Sequence, residues 1–457
     1  MTKILIPEPY SKFFSFIPKD INYFLVGGFV RDALMGIKNN SPDIDIVMHK
    51  NDLEKVAKIA EEKGYSINRD GLKFGVITVY LSKEHKLDMA MFRSEAYEKN
   101  SRKPITKDID TIEGDLARRD FTIGAIAYNP RTKEIIDPHN GMLDINGKTI
   151  KAVGNPSERF DEDPLRMLRA LRLATKYGFT ITPETMHAVA KQRDRLDIIS
   201  GERIREELLK GMKADPVRFF TLLDASTLLS KLFPEYAAIW QTIHDSRGNH
   251  YNETLYQHTL DTLINSERRL KTHSIKPQDK ALFSLALMLH DIGKTTTGKK
   301  EGEKIRYIGH DLVGADMIRK NLSNLKFSTA EKEYIANLLK YHMKIHSLES
   351  QSATIKRRNL AELYIKLREN PEFMEELILL TEMDGDRDNS DMYPVIAEFR
   401  KLSPVVKGED IMHVPPKARG KLLKQMRYLQ LAKALNREES LKLIKGESNN
   451  ILKRMKS

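Results

Sequence analysis

Asp43 and Asp45 alternate with Ile44 and Ile46. Side chains on an extended strand repeat every second residue, so both carboxylates would share one face while the isoleucines turn to a core. Two carboxylates on one edge suit Mg²⁺, which takes oxygen ligands and usually brings substrate phosphates. Such a pair can serve an attacking hydroxyl and a leaving pyrophosphate together. Asp88, in HKLDMAMFR, would add a third carboxylate from a neighbouring strand. A lone Asp-x-Asp is more often a solvated strand face. The segment upstream changes that weighting. In LVGGFVRD, Gly27 and Gly28 follow an apolar run, and Arg31 opens the next element. A glycine pair lets backbone amides come close to a triphosphate.

The elements that must hold these residues are short. YFLVGG, DIDIVM, LKFGVITVYL, HKLDMAMFR, FTIGAIAYN and EIIDP read as strands or strand edges. NDLEKVAKIAEEKG reads as an amphipathic helix stopped by Gly64. Residues 94–117 are polar and read as a flexible loop. Beyond residue 160 helical periodicity dominates. DPLRMLRALRLATKYG opens with Asp163 as N-cap and Pro164 in the first turn, and stops at Gly178. The expected fold is multidomain α+β, an α/β head followed by an all-helical neck, body and tail.

Composition narrows the setting. Lys and Arg number 76 against 64 for Asp and Glu, a net charge of +12 that favours a polyanionic partner, nucleic acid before membrane surface. No stretch approaches the roughly 18 apolar residues of a spanning helix, and the N-terminus lacks a signal-peptide core. The chain has no cysteine, which excludes disulfides, thiolate catalysis and Cys-based zinc sites. A cytoplasmic protein with no membrane role is expected.

LVGGFVRD, DIDIVM and ARRDFTIGAIAYN, in that order, resemble the class II tRNA nucleotidyltransferase and bacterial poly(A) polymerase family, within the polymerase-β-like nucleotidyltransferase superfamily. The likeness continues through IIDPHNGMLDINGKTI, FDEDPLRMLRALRLATKYGFTI and ERIREELLK, roughly residues 20–215. It implies that Asp43 and Asp45 hold the catalytic metal. Arg118 and Arg119 would meet triphosphate, and Asp120 would help select a ribose 2′-OH. Guanidinium forks match phosphate, and a carboxylate accepts from a hydroxyl. Without those neighbours RRD would read as a charged turn. The family usually carries RRDFTxNA, whereas Gly124 stands here where Asn is expected, and no role passes to it.

Glu162, Asp163 and Arg166 resemble the family's EDxxR motif, in which the protein itself chooses the incoming base. Cytosine and adenine each present an exocyclic amine beside a ring-nitrogen acceptor. A carboxylate accepts from the first and a guanidinium donates to the second. Uracil and guanine would turn a carbonyl toward Asp163, leaving polar groups unpaired. A plainer reading makes Asp163 a helix cap and Arg166, Arg169 and Arg172 a solvated or RNA-facing ridge. Arg169 and Arg172 read as backbone or structural contacts.

The helical region holds a second constellation of ligand-type residues: His258, His290, Asp291, His310, His342 and Asp384. Their flanks resemble the HD phosphohydrolase superfamily. Imidazoles with carboxylates suit a divalent ion such as Mg²⁺, Mn²⁺, Ni²⁺ or Co²⁺. A phosphohydrolase that cleans damaged tRNA ends is implied. Lys294, just past the HD pair, would hold a phosphate. His346 could replace His342, and His244 and His250 have no matching context and read as bland.

Residues 404–445 resemble the basic, amphipathic tail with which bacterial class II enzymes grip the tRNA elbow, and a solvated helix face is the plain alternative. The expected divisions are a head at 1–150, neck at 151–215, body at 216–250, HD domain at 251–390 and tail at 391–457. The implied activity is template-independent CCA addition to tRNA from CTP and ATP. Poly(A), CC-only and A-only polymerases, and an RNA-binding HD hydrolase with a silent head, are the rivals.

Overall fold

In the computed structural model, which describes residues 4–37, 43–97, 104–245, 253–302, 304–385, 387–412, 414, 416–433 and 435–444, the run YFLV forms strand β1 (Tyr23–Val26). Two units, Met1–Lys231 and Leu232–Ser457, each hold a core.

The first unit begins with a seven-stranded sheet. Its members include β1, β2 (Ile44–Met48), β3 (Ser66–Asn68), β4 (Val76–Tyr80) and β5 (Lys86–Met91). A hairpin of β6 (Arg93–Tyr97) and β7 (Pro104–Asp108) stands outside it, and β8 (Ala127–Tyr128) and β9 (Ile135–Ile136) complete it. The order is β3-β4-β5-β2-β1-β8-β9, with β2 and β5 parallel and the other pairs antiparallel. Ile44 and Ile46 are buried and Asp45 faces out, as the alternation requires. The parallel β2–β5 pair needs a crossover, and part of it is the helix Lys50–Glu62. That helix buries Leu53, Val56, Ala57 and Ala60 on one stripe and ends before Gly64, whose φ is 84°.

Residues 94–117 do not form the expected loop. Backbone pairing between β6 and β7 and a helix at Ile112–Ala117 organise what is described of them. The β6–β7 hairpin is held by backbone pairing, which polar composition does not reveal, and the helix adds Ile112 and Leu116 to the core.

The neck helix Leu165–Tyr177 buries Leu165, Met167, Leu168, Ala170, Leu171, Leu173 and Ala174, and stops at Gly178 with φ 68°. The preceding helix, Pro156–Glu162, breaks at Asp163 because Pro164 forces an extended residue before it (φ −139°, ψ 99°). Arg172 pairs with Glu207 on the helix Gly201–Ala214, the structural contact expected of it.

The second unit is almost wholly helical. Leu255–Thr272, Lys280–Leu289, His310–Asn324, Thr329–His346 and Pro371–Met383 surround buried His, Asp and Leu side chains. The helix Pro416–Lys433 packs on Ala353–Lys366. Val406, Ile411, Val414, Leu422, Met426 and Ile444 form a core of their own. Arg427 is 9% exposed and donates to Glu369 at 2.7–3.0 Å. Among the described residues no helix is long and apolar enough to cross a membrane.

Candidate functional site

The first unit carries a cleft of about 380 Å³ where β1, β2, the Arg118–Gly124 turn and the neck helix meet. Gly27, Gly28, Arg31, Asp45, Arg118, Arg119, Asp120, Gly124, Asp163, Arg166 and Arg169 line it. Gly27 has φ 73° and ψ −137°, a conformation essentially confined to glycine. A Cβ there would lie 3.4 Å from Asp45 Oδ2 and 3.5 Å from an Arg119 nitrogen, so the backbone itself walls the carboxylate.

Asp45 is Cα-paired with Asp88 across β2 and β5. The Thr78 hydroxyl donates to Asp88 at 2.6 Å, and Lys86 lies 3.6 Å away. Asp43, just before β2, is exposed. The protein mass around Asp45 limits its hydration although its oxygens reach the cleft. That desolvation pushes it up to about 6, with Asp88 and Asp43 adding and Arg119 opposing. Crowded carboxylates with raised affinity for a positive charge fit a divalent cation. The three do not converge to within 4.8 Å as a set; among the described residues such closure occurs only in the second unit.

The two arginines of RRD share one anchor. Asp115, on the Ile112–Ala117 helix, is fully buried and accepts from Arg118 at 2.7 and 3.0 Å and from Arg119 at 3.0 Å. Sequence reasoning missed Asp115. The signal available was its spacing, one helical turn ahead of both arginines. Asp120 accepts from Arg166 at 2.9 Å and pairs with Arg169 at 2.8 Å. Arg166, 4% exposed, also donates to Glu162 at 2.6 Å and to the carbonyls of Arg159 and Arg118. It therefore bolts the RRD and EDxxR segments together at the wall of the cleft. Asp163 accepts from the Leu165 N–H at 3.2 Å, as a cap does, and from Arg203 at 2.7 Å. Arg31 is tied to Asp32 and to the Tyr177 hydroxyl. At Gly124 φ is ordinary and a Cβ would meet nothing within 4 Å.

The second unit assembles the other constellation. His258 Nε2 lies 3.1 Å from His290 Nε2 and 3.0 Å from Asp384 Oδ1. His310 Nε2 and His342 Nε2 lie 3.1 and 3.8 Å from Asp291 Oδ1. His290, His310 and His342 donate Nδ1–H to the carbonyls of Leu287, Tyr307 and Leu339, which leaves Nε2 for a ligand. The Nε2 atoms of His310 and His342 and Asp291 Oδ1 are buried and make no hydrogen bond. Orphaned polar atoms converging on one point fit a metal ion. Two groups, His258–His290–Asp384 and Asp291–His310–His342, stand side by side. Burial holds His258 and His342 down to about 3, so both are neutral donors. Burial opposes protonation of His290 as well, but Asp291 and Asp384 outweigh it and raise it to about 10, so a metal held at its Nε2 would take the place of a proton.

The surroundings of His346 and His244 differ from expectation. His346 does not replace His342: it donates to Asp384 Oδ2 at 2.7 Å and orients that carboxylate. Lys294, expected to hold a phosphate, lies 2.6 Å from Asp291 Oδ2 and 3.0 Å from His244 Nδ1, beside the same group of ligand-type residues. His244 is not bland, since it stacks on His258 beside Asp291. His250 lies outside the described residues.

Residues 23–151 match the family described as "Poly A polymerase head domain". Residues 178–239 match "Probable RNA and SrmB- binding site of polymerase A", and residues 255–384 match the HD domain. A multifunctional CCA protein of Xanthomonas oryzae pv. oryzae is 30% identical over 398 residues, 83% of this chain and 89% of the relative. One from Acinetobacter baumannii is 29% identical over 441 residues, 92% and 98% of the two chains. In fold the chain is similar to a CCA-adding enzyme in its apo form II, with a TM-score of 0.69, 20% identity and 97% of each chain covered. It is also similar to the Bacillus stearothermophilus CCA-adding enzyme in complex with CTP, with a TM-score of 0.68, 19% identity and 98% and 100% covered. At 30% identity over 83% of its length, and with a head domain, an RNA-binding segment and an HD domain in succession, the chain belongs to the multifunctional CCA protein family.

Proposed function

We propose that the first unit adds C and A residues to the 3′ end of tRNA from CTP and ATP, releasing pyrophosphate, in the cytoplasm. The observation that carries this is the single cleft joining the Gly27 wall, Asp45, the RRD arginines and Asp163. Asp43 and Asp45 would hold Mg²⁺, which when bound supplies electrophilic activation for phosphoryl transfer. Arg118 and Arg119, spread by Asp115, bind triphosphate oxygens, and the amides around Gly27 and Gly28 approach the same group. Arg31, locked against Tyr177, adds fixed positive charge. Asp120 accepts from the ribose 2′-OH with its free lone pairs. The RNA 3′-oxygen bonds to the α-phosphorus as the bond to the β-phosphate oxygen breaks. Asp88, oriented by Thr78, takes the hydroxyl proton.

Asp163 accepts from the exocyclic amine of C or A, and Arg166 presents N–H to the ring nitrogen by exchanging one of its intramolecular partners. No nucleic-acid template is required. The test is a tRNA lacking CCA, incubated with CTP, ATP and both. Stepwise CC then A addition is expected. A long A tract, or only CC or only A, would replace the proposal with one of its rivals. Asp45→Ala should abolish addition while leaving tRNA affinity nearly unchanged.

The second unit supports a phosphohydrolase acting on phosphomonoesters or 2′,3′-cyclic phosphates at damaged tRNA ends. His258, His290, Asp291, His310, His342 and Asp384 would hold a divalent ion, Mn²⁺, Co²⁺ or Ni²⁺ suiting the imidazoles better than Mg²⁺. Bound there, it supplies an activated water for hydrolysis. Lys294 neutralises charge on the ester's phosphate. Hydrolysis of 2′,3′-cyclic AMP and of tRNA ending in a cyclic phosphate, lost in His290→Ala, is the expected result. No hydrolysis with any of these ions would remove the assignment.

A further inference from the structure

His244 lies ahead of the segment that matches the HD domain, on the short strand Ile243–Asp245. Its ring stacks on His258, centroids 3.5 Å apart and planes 11° off parallel. Its Nδ1 lies 3.4 Å from Asp291 Oδ2, the same distance as His258 Nε2 from that oxygen. These three atoms fall within 4.8 Å of one another. The Tyr307 hydroxyl donates to the Ile243 carbonyl and ties the strand to the site.

Lys294 defines the tautomer. An ammonium has protons and no lone pair, so its 3.0 Å contact with His244 Nδ1 makes that nitrogen an acceptor. The proton therefore sits on Nε2, and a lone pair on Nδ1 points into the site. The same ammonium donates to Asp291 Oδ2 at 2.6 Å. One cation thus bridges a nitrogen and an oxygen that could equally serve a metal.

We propose that His244 is an additional ligand of the HD-domain metal centre, and that Lys294 competes with the metal for His244 Nδ1 and Asp291 Oδ2. The inference rests on the reading that this centre holds a divalent ion. It makes the donor set five imidazoles and two carboxylates, a nitrogen-rich set that selects transition ions. It also gives Lys294 two stations, one on the ligands and, once displaced, one on the substrate's phosphate.

The test is titration of the full chain with Co²⁺, followed by calorimetry and by the visible d–d absorption. His244→Phe keeps a ring to stack on His258 but has no lone pair, and His244→Ala removes both. Folding of each variant is checked by circular dichroism and melting. Both variants should lose affinity for Co²⁺ on the order of 10–100-fold and show an altered band. Lys294→Met should tighten binding. If His244→Phe and His244→Ala bind Co²⁺ with unchanged affinity and spectrum, His244 is a packing residue and the inference falls. If the wild type takes up no Co²⁺, Mn²⁺ or Ni²⁺, the metal-centre reading itself falls with it.

Discussion

Asp115 anchors both arginines of the RRD segment. It is fully buried and its recorded partners are the guanidinium groups of Arg118 and Arg119, both turned toward the cleft. Removing one member of a buried ion pair strands the rest. Asp115→Asn should therefore cost about 3 kcal/mol of stability. It should also lower kcat/KM for CTP and ATP by roughly tenfold, mainly through KM, as the arginines lose their alignment on triphosphate. Denaturant titration and steady-state kinetics check both, and an unchanged KM would mean that the arginines do not meet the nucleotide. Asp163 asks for a different change. Its Oδ1 caps the Leu165 N–H and its Oδ2 meets Arg203, so alanine would confuse folding with selection. Asp163→Asn keeps an oxygen for the cap and offers an N–H where the carboxylate offered only acceptors. UTP and GTP incorporation should rise relative to CTP and ATP. A variant that keeps the full preference for C and A would reduce Asp163 to a helix cap.

At the scale of elements, Gly293 holds the two halves of the candidate metal centre together. The turn after Lys280–Leu289 carries His290 and Asp291 and must touch the start of His310–Asn324. A Cβ at Gly293 would stand 2.0 Å from the His310 carbonyl oxygen and 2.8 Å from the Gly314 amide. Both neighbours are backbone and cannot swing away. Gly293→Ala should separate Asp291 from His310, losing metal binding and about 1–3 kcal/mol of stability, the range of an overpacked contact. Calorimetric metal titration of the folded variant decides it, and normal affinity would mean that the two elements tolerate a wider spacing. Such contacts explain what the sequence could and could not disclose. Asp45, Gly27 and the HD pair were readable because strand alternation and short local motifs place them. Asp115 was not, since IEGDLARRD looks the same whether its carboxylate faces water or a core. His244 escaped for a stronger reason: its partners His258, Asp291 and Lys294 are brought to it only by the fold. The β6–β7 pairing is made by backbone, which polar composition does not reveal.

On the scale of the whole molecule, the question is what a net charge of +12 does on this protein of two units. The tail cannot be cut away cleanly to find out. Arg427 is buried against Glu369, Gln430 donates to the Ser403 carbonyl, and Arg357 donates to the Leu431 carbonyl, so truncation near residue 404 would expose the face of Ala353–Lys366. The same helix nonetheless turns Lys417, Lys421 and Lys424 to solvent, spaced so that they share one side. Its buried side carries the packing, and its exposed side is available to phosphates. Replacing those three lysines with alanine should leave the melting temperature nearly unchanged. If each meets one phosphate, the slope of log K against log salt for tRNA should shrink by about 2–3, because each lost contact releases roughly 0.7–0.9 fewer counterions. If the tail meets the tRNA elbow, a minihelix of the acceptor stem alone, which has none, should keep its slope. Binding isotherms over a range of salt for both RNAs measure the difference. An unchanged slope on full tRNA would make this helix a packing element whose charge is only solvated, and would move the search for the RNA clamp to residues 178–239, the segment that matches an RNA-binding family.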